Sequence, residues 1–333
     1  MADYIVNMGG YNGSEYYNTV DVFKVTKKGV QHISNPSVTL SQARQSLASA
    51  ACGSYILAMG GIHGITNLNT VDVFHVNSNG VAAVTGHGLT LSRGRCRLAA
   101  ASCGQYILAL GGYDDGNPSY SNAVDVFKVT ESGVEHITDH GLTLSQGRQN
   151  LVAASCGNYI LAMGGSVADS TPVNTIDVFK VTDNGVEKIS AGLALSVPRR
   201  YFAAASAGNY ILAMGGDNFN TLDTIDVFKV TDNGVEQITD HGLALSVARS
   251  NLAAAACGNY IVAMGGLGAA AAGKAIDVFK VTENGIEHIL DHELTLSPAR
   301  FSASAATAGS FILAMGGYDS GYLNAIDVFQ VFN

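Results

Sequence analysis

The sequence predicts an all-β protein, a β-propeller of four-stranded blades, and three observations carry that expectation. The phrase "GNYILAMGG" at 157–165 recurs unchanged at 208–216 and returns as "GNYIVAMGG" at 258–266. Gly-Gly pairs ending at Gly10, Gly61, Gly112, Gly165, Gly216, Gly266 and Gly317 are spaced by 51, 51, 53, 51, 50 and 51 residues. No segment shows sustained helical periodicity. A constant period of this length marks a repeat architecture, and no linker interrupts it, so residues 1–333 are expected to form a single domain.

Each unit reads as four short strands. The first follows an arginine and is rich in alanine, as in "RQNLVAASCG" at 148–157. The second is "NYILAMGG" at 158–165, the third "NTIDVFKVT" at 174–182, and the fourth "GVEKIS" at 185–190. Tyrosine, phenylalanine and β-branched residues suit a pleated, half-buried surface. Between third and fourth strands lies "TDNG", where Asn-Gly between apolar runs signals a hairpin because glycine supplies positive φ. Radial packing of such small sheets places the alanine-rich strand innermost, where blades crowd the axis.

The ends do not count out evenly. There are seven Gly-Gly strands and seven "DVF" strands, but six alanine-rich strands and six outer strands. Seven blades leave the first without an inner strand and the last without an outer one. Six blades plus a spare C-terminal hairpin at 311–332 is the alternative. Seven is favoured, because that hairpin is as apolar as its siblings and costly to expose. An incomplete blade also offers unpaired edges, through which self-association is conceivable.

Composition narrows the function. A net charge of −9 and a pI near 5.4 argue against nucleic acid or an anionic membrane surface as partner. "MADYIVNMGG" has neither a basic n-region nor a long apolar run, so no secretory signal is visible. Cys52, Cys103, Cys156 and Cys257 each stand eight residues after an arginine, at one equivalent position. Equivalent residues on separate blades rarely come within bridging range, so buried free thiols and a cytoplasmic location are expected. Cys96, between Arg95 and Arg97, is out of register; its neighbours favour a thiolate if it is exposed.

The chain resembles the kelch family of β-propellers. The resemblance rests on the apolar run ending in Gly-Gly and on an aromatic before it (Tyr55, Tyr106, Tyr159, Tyr210, Tyr260). An acidic residue two before the aromatic of "DVF" and an arginine opening the inner strand complete the pattern. It spans the whole chain and departs in one respect: kelch repeats usually carry an outer-strand tryptophan, and this chain has none.

Alternating strand direction sorts the connections onto two faces. The "CGN" and "DNG" turns hardly vary, whereas the loops after Gly-Gly differ in every copy, and all five prolines (Pro36, Pro118, Pro172, Pro198, Pro298) lie on that second face. Uniform scaffold with one set of unlike loops places recognition on those loops, against the plainer alternative of drift. Tyr11, Tyr113 and Tyr318 head the candidate aromatic contacts, with Tyr16, Tyr17, Tyr120, Phe219 and Tyr322. The equivalent arginines Arg44, Arg95, Arg148, Arg199, Arg249 and Arg300 are never replaced by lysine, so planar multi-donor geometry is what the position needs. They form either a basic ring for carboxylates at the channel mouth, as the resemblance implies, or latches to the aspartates of "DVF". His87, His140, His241 and His292 read as loop polar residues, and Ser41, Ser92, Ser145, Ser196, Ser246 and Ser297 as turn residues.

The expected function is a non-enzymatic interaction scaffold for a protein or acidic peptide, with no metal or cofactor. A carbohydrate-binding propeller is the second class. A kelch-like oxidase or sugar isomerase is the third, disfavoured because no single asymmetric cluster stands out.

Overall fold

A computed structural model describes residues 3–34, 37–116 and 119–332. Seven blades form a ring. Five are four-stranded antiparallel sheets, ordered outward as in the sequence: 48–84, 99–137, 152–189, 203–238 and 253–289. The first blade has three strands, Asp3–Tyr11, Tyr16–Thr26 and Gly29–Ile33, and lacks an inner one. The last has Ser304–Ala308, Phe311–Met315 and Ile326–Gln330, and lacks an outer one. Helical structure among the described residues is two 3-10 turns, Ala168–Ser170 and Ala272–Lys274. No described helix is long and apolar enough to cross a membrane.

The blades are held by apolar faces of alternate strand residues. Leu161, Met163 and Val178 of the fourth blade pack against Ile211, Ala213 and Phe228 of the fifth. The phenylalanine of each "DVF", from Phe74 to Phe279, is fully buried at such a junction, and each such side chain is worth about 1.5–3 kcal/mol relative to exposure. Ile5, Phe23 and Val25 of the first blade meet Phe311, Leu313 and Met315 of the last in the same way, and Ser304 Oγ donates to Asn7 Oδ1 at 3.0 Å. The ring therefore closes on seven, and hairpin 311–332 fills the seventh blade.

Two local features need glycine. Gly164 takes φ 55°, and a Cβ there would lie 2.7 Å from the Arg199 carbonyl oxygen of the next blade. The following Gly165 N–H donates to that same oxygen at 2.9 Å. The Gly-Gly signature thus marks where one blade's second strand touches the next blade's arginine backbone. In "TDNG" the glycine is not a corner of the turn, as the sequence suggests. Thr182 pairs directly with Gly185, which opens the fourth strand at φ 134°.

The six arginines are 0–1% exposed. Arg148 donates to Asp177 Oδ2 at 2.8 Å and to the Ala162 carbonyl at 3.0 Å, tying the segment before the inner strand to the second and third strands. Asp177 also accepts from the Ser145 N–H at 3.0 Å and pairs with Lys188 at 2.7 Å. The same contact is repeated as Arg44–Asp72 (2.5 Å), Arg95–Asp125 (2.5 Å), Arg249–Asp277 (2.6 Å), Arg199–Asp226 and Arg300–Asp327. A lysine has no planar fork to reach carboxylate and carbonyl together. The recurrent "LS" serines serve the latch: Ser41, Ser92, Ser196, Ser246 and Ser297 each donate their N–H to the latch aspartate, and the Ser92 and Ser145 hydroxyls donate to it as well, at 3.3 and 3.2 Å.

All five cysteines are free and buried. Cys52, Cys103, Cys156 and Cys257 point at glycine carbonyls of the next blade at 3.2–3.4 Å. Burial pushes the Cys96 thiol up, outweighing the downward pull of Arg97, so the sequence-level case for a thiolate there fails. In native protein all five thiols should resist a disulfide reagent, and all five should titrate once the chain is unfolded without reductant. One disulfide found in that assay would contradict the ring geometry.

Removing Arg148 leaves a buried carboxylate unpaired, so Arg148→Ala should lower unfolding free energy by about 3–5 kcal/mol. Arg148→Lys keeps the charge but not the fork and should cost about 1–3 kcal/mol. Burial by itself would raise the Asp177 pKa, but Arg148, Lys188 and the Ser145 N–H outweigh it and hold it below the ordinary carboxylate value. Stability from this carboxylate is therefore complete above the unfolded aspartate value, about 4, and lost as pH falls through the lower folded value. Denaturant melts of Arg148→Lys, Arg148→Ala and Asp177→Asn across pH test both points. Asp177→Asn should flatten the acid limb; three variants that melt like wild type would remove the latch from this account.

Candidate functional site

The loops after Gly-Gly and the segments before each inner strand share one face and surround the channel mouth. Below the mouth the channel, about 380 Å³, is walled by small side chains such as Ser49, Ser102, Ala153, Ser155 and Ser206. The sequence expectation of a basic ring is met only in part here. Arg44, Arg95, Arg148, Arg199, Arg249 and Arg300 encircle the axis, but their guanidiniums are turned into the blades and paired with aspartate. Three other arginines stay at the surface. Arg93 pairs with Asp114 at 2.9 Å, Arg200 with Asp217 at 3.2 Å, and Arg97 donates to Gln149 Oε1 at 3.2 Å.

The mouth itself is built by residues the sequence reading missed. Two positions after each latch arginine stand Ser46, Arg97, Asn150, Tyr201, Asn251 and Ser302, all left-handed at φ 51–55°. Arg97 N–H donates to the Ser46 carbonyl and Asn150 N–H to that of Arg97; Asn251 N–H donates to Tyr201 and Ser302 N–H to Asn251, at 2.7–3.1 Å. None of the six is glycine, and a non-glycine residue there costs of order 1 kcal/mol or more unless its surroundings enforce it. A constant backbone belt thus displays six positions of four different chemistries. The sequence carried no clear signal for it, because the neighbouring position (Gln45, Cys96, Gln149, Arg200, Ser250, Phe301) varies as much.

The candidate tyrosines separate into two groups. Tyr11 and Tyr318, from the first and last blades, are brought together. Tyr11 lies 4.7 Å from Tyr16 and 5.9 Å from Tyr322, which lies 5.1 Å from Tyr318; Phe301 is 5.4 Å from Tyr318, and His63 is 4.8 Å from Tyr16. Tyr113 stands apart on the third blade, edge-on to Tyr120 at 5.9 Å. Phe219 is 68% exposed, beside Arg200. Pro36 and Pro118 lie outside the described residues.

Beneath the Tyr11–Tyr318 group is a cavity of about 1260 Å³, reaching down the seam to Asn7, Ser49 and Ser304. It lies where the first blade has no inner strand among the described residues. Four tyrosines (Tyr11, Tyr17, Tyr318 and Tyr322), Phe301 and an open sheet edge around one space form the most asymmetric place on the ring among the described residues. Elsewhere the histidines have local duties: the Leu89, Leu142, Leu243 and Leu294 N–H groups donate to Nδ1 of His87, His140, His241 and His292. Those bonds require the neutral ring. No group of three or more metal-competent side chains converges among the described residues.

No curated protein matches the chain. A family model for the KLHDC2/KLHL20/DRC7 Kelch-repeats domain matches residues 47–266, two thirds of the chain. The matched span holds whole blades of the geometry described above, Gly-Gly contacts, latches and all, and the chain belongs to this Kelch-repeat family.

Proposed function

We propose that the protein is a non-enzymatic binding scaffold that engages a polypeptide on its loop face, at the aromatic-rimmed cavity between the last and first blades. The observation that carries this is the convergence of Tyr11, Tyr17, Tyr318 and Tyr322 on that cavity. Tyrosine supplies large rigid contact area with a polar tip at low entropic cost, which suits a protein interface. Family membership supports the same class, since Kelch-repeat propellers are typical protein-interaction scaffolds. The case for an acidic partner is weaker than the sequence suggested, because the six guanidiniums that were to attract carboxylates are spent on aspartates. A glycan is the less favoured ligand. The ring pairs Tyr11–Tyr322 and Tyr318–Tyr322 meet edge to face at 81° and 83°, so few flat faces are left for a sugar.

A peptide-display selection on the intact protein tests this. Enriched peptides should lose roughly tenfold or more in affinity on Tyr11→Ala and Tyr318→Ala, the usual range for an aromatic anchor, and little on Tyr113→Ala. Selected binders indifferent to Tyr11 and Tyr318, or a glycan array that gives the only binding, would overturn the proposal.

A further inference from the structure

The loops after Gly-Gly have a one-sided chemistry. Together the seven hold seven carboxylates and a single basic residue, Lys274. The six ring arginines do not offset this, since each is buried against its own aspartate. Positive charge is scarce on this face, and two of its surface arginines are held by loop carboxylates.

Two of the loops share one plan. In the third blade Tyr113 bridges Tyr120 with the rings edge-on at 5.9 Å, and the Asp114 N–H donates to the Ser119 carbonyl. In the last blade Tyr318 bridges Tyr322 with the rings edge-on at 5.1 Å, and the Asp319 N–H donates to the Gly321 carbonyl. Each loop sets a carboxylate directly after the first ring of a tyrosine pair. In the third blade that carboxylate is occupied. Asp114 is 3% exposed and takes Arg93, two residues ahead of the latch arginine, at 2.9 Å. The fifth blade reaches a similar end by another route. Asp217 takes Arg200, directly after the latch arginine, at 3.2 Å. That guanidinium lies 5.0 Å from the Tyr201 ring and 5.9 Å from the Phe219 ring.

The last blade has the carboxylate and the rings without the arginine. The position of Arg93 is held by Pro298 and that of Arg200 by Phe301, whose ring lies 5.4 Å from Tyr318. Asp319 is exposed and forms no ion pair among the described residues. Tyr322, 51% exposed, supplies the one open ring surface that a guanidinium needs.

We propose that Tyr318, Asp319 and Tyr322 form a docking site for an arginine of the bound polypeptide, so that the partner segment is basic. The guanidinium pairs with the Asp319 carboxylate and packs on the tyrosine, as Arg200 does between Asp217 and its two rings. Carboxylate and ring act together, since an exposed ion pair or an exposed cation–π contact contributes little by itself. Lysine fits less well, because its compact ammonium lacks the planar fork that both pairs and stacks. The excess of acid on the loops steers a basic segment to this face and disfavours an acidic one. The assignment rests on the polypeptide-binding function proposed above and gives the partner's charge.

The probes are capped tri-arginine, tri-lysine and tri-glutamate peptides, titrated into the intact protein while tyrosine ring resonances are followed by NMR. Tri-arginine should bind and shift Tyr318 and Tyr322, and tri-glutamate should not. Asp319→Asn should weaken tri-arginine binding roughly fivefold, as for one exposed charged pair. Asp223→Asn removes the same charge from another loop and should weaken it by less than roughly twofold, as expected for a distant screened charge. Absence of tri-arginine binding at millimolar peptide overturns the proposal. So does tri-lysine binding as tightly, or an equal loss with Asp319→Asn and Asp223→Asn, which would reduce the effect to diffuse surface charge. The two readings fail separately. Display-selected binders that need Tyr318 but carry no arginine overturn the arginine site and leave the binding function. Asp319-dependent tri-arginine binding, with selected binders indifferent to Tyr11 and Tyr318, does the reverse.

Discussion

A buried guanidinium–carboxylate pair organises six of the seven blades. Arg148 and Asp177 are both withdrawn from water, and such a pair gains little over a well-packed apolar substitute. Its value here is geometric. The guanidinium bonds the second strand through the Ala162 carbonyl and the third through Asp177, while Asp177 takes the Ser145 N–H ahead of it. Three separate stretches of chain are thereby held at one point. The arginine's own carbonyl is delivered to the glycine pair of the preceding blade, as Arg199 does to Gly165. One side chain thus sets both the internal order of a blade and its contact with a neighbour.

Two further features follow from that point. Close approach of the arginine carbonyl leaves no room for a Cβ on the facing strand, so glycine recurs there. The chain must then turn sharply to enter the inner strand, and residue 150 and its five equivalents take the left-handed conformation to do so. Each belt residue takes part in a backbone N–H to carbonyl bond with its equivalent in a neighbouring blade. The strain is the cost of that turn and is shared by six positions of different identity.

The repeat, the four strands and the seven-fold count were legible because they depend on period and pattern, which survive without coordinates. The latch was legible as a pairing of two recurrent residues, Arg and Asp, and it is the reading that the usual pairing of buried charges favours. A ring of arginines at a channel mouth and a ring of buried ion pairs have the same sequence. They differ only in where Cζ points, and burial decides it. The grouping of Tyr11 with Tyr318 was not legible at all, since residues 307 positions apart meet only because the ring closes. At Cys96 a thiolate required exposure, and the residue is buried. Its two arginine neighbours are adjacent in sequence, yet burial outweighs the one that acts on it.

A ring of near-identical blades has no reason to bind anything at one place rather than seven. Repetition supplies stability, and recognition needs a break in it. In this chain the loops break it gradually, blade by blade, whereas the seam breaks it at once. There the first blade has no inner strand among the described residues, Asp21 has no arginine, and the first and last blades' tyrosines stand around the cavity. The ring still closes, because Ile5 and Phe23 meet Leu313 and Met315 across the blade faces. Blade-to-blade packing therefore carries the ring across this junction.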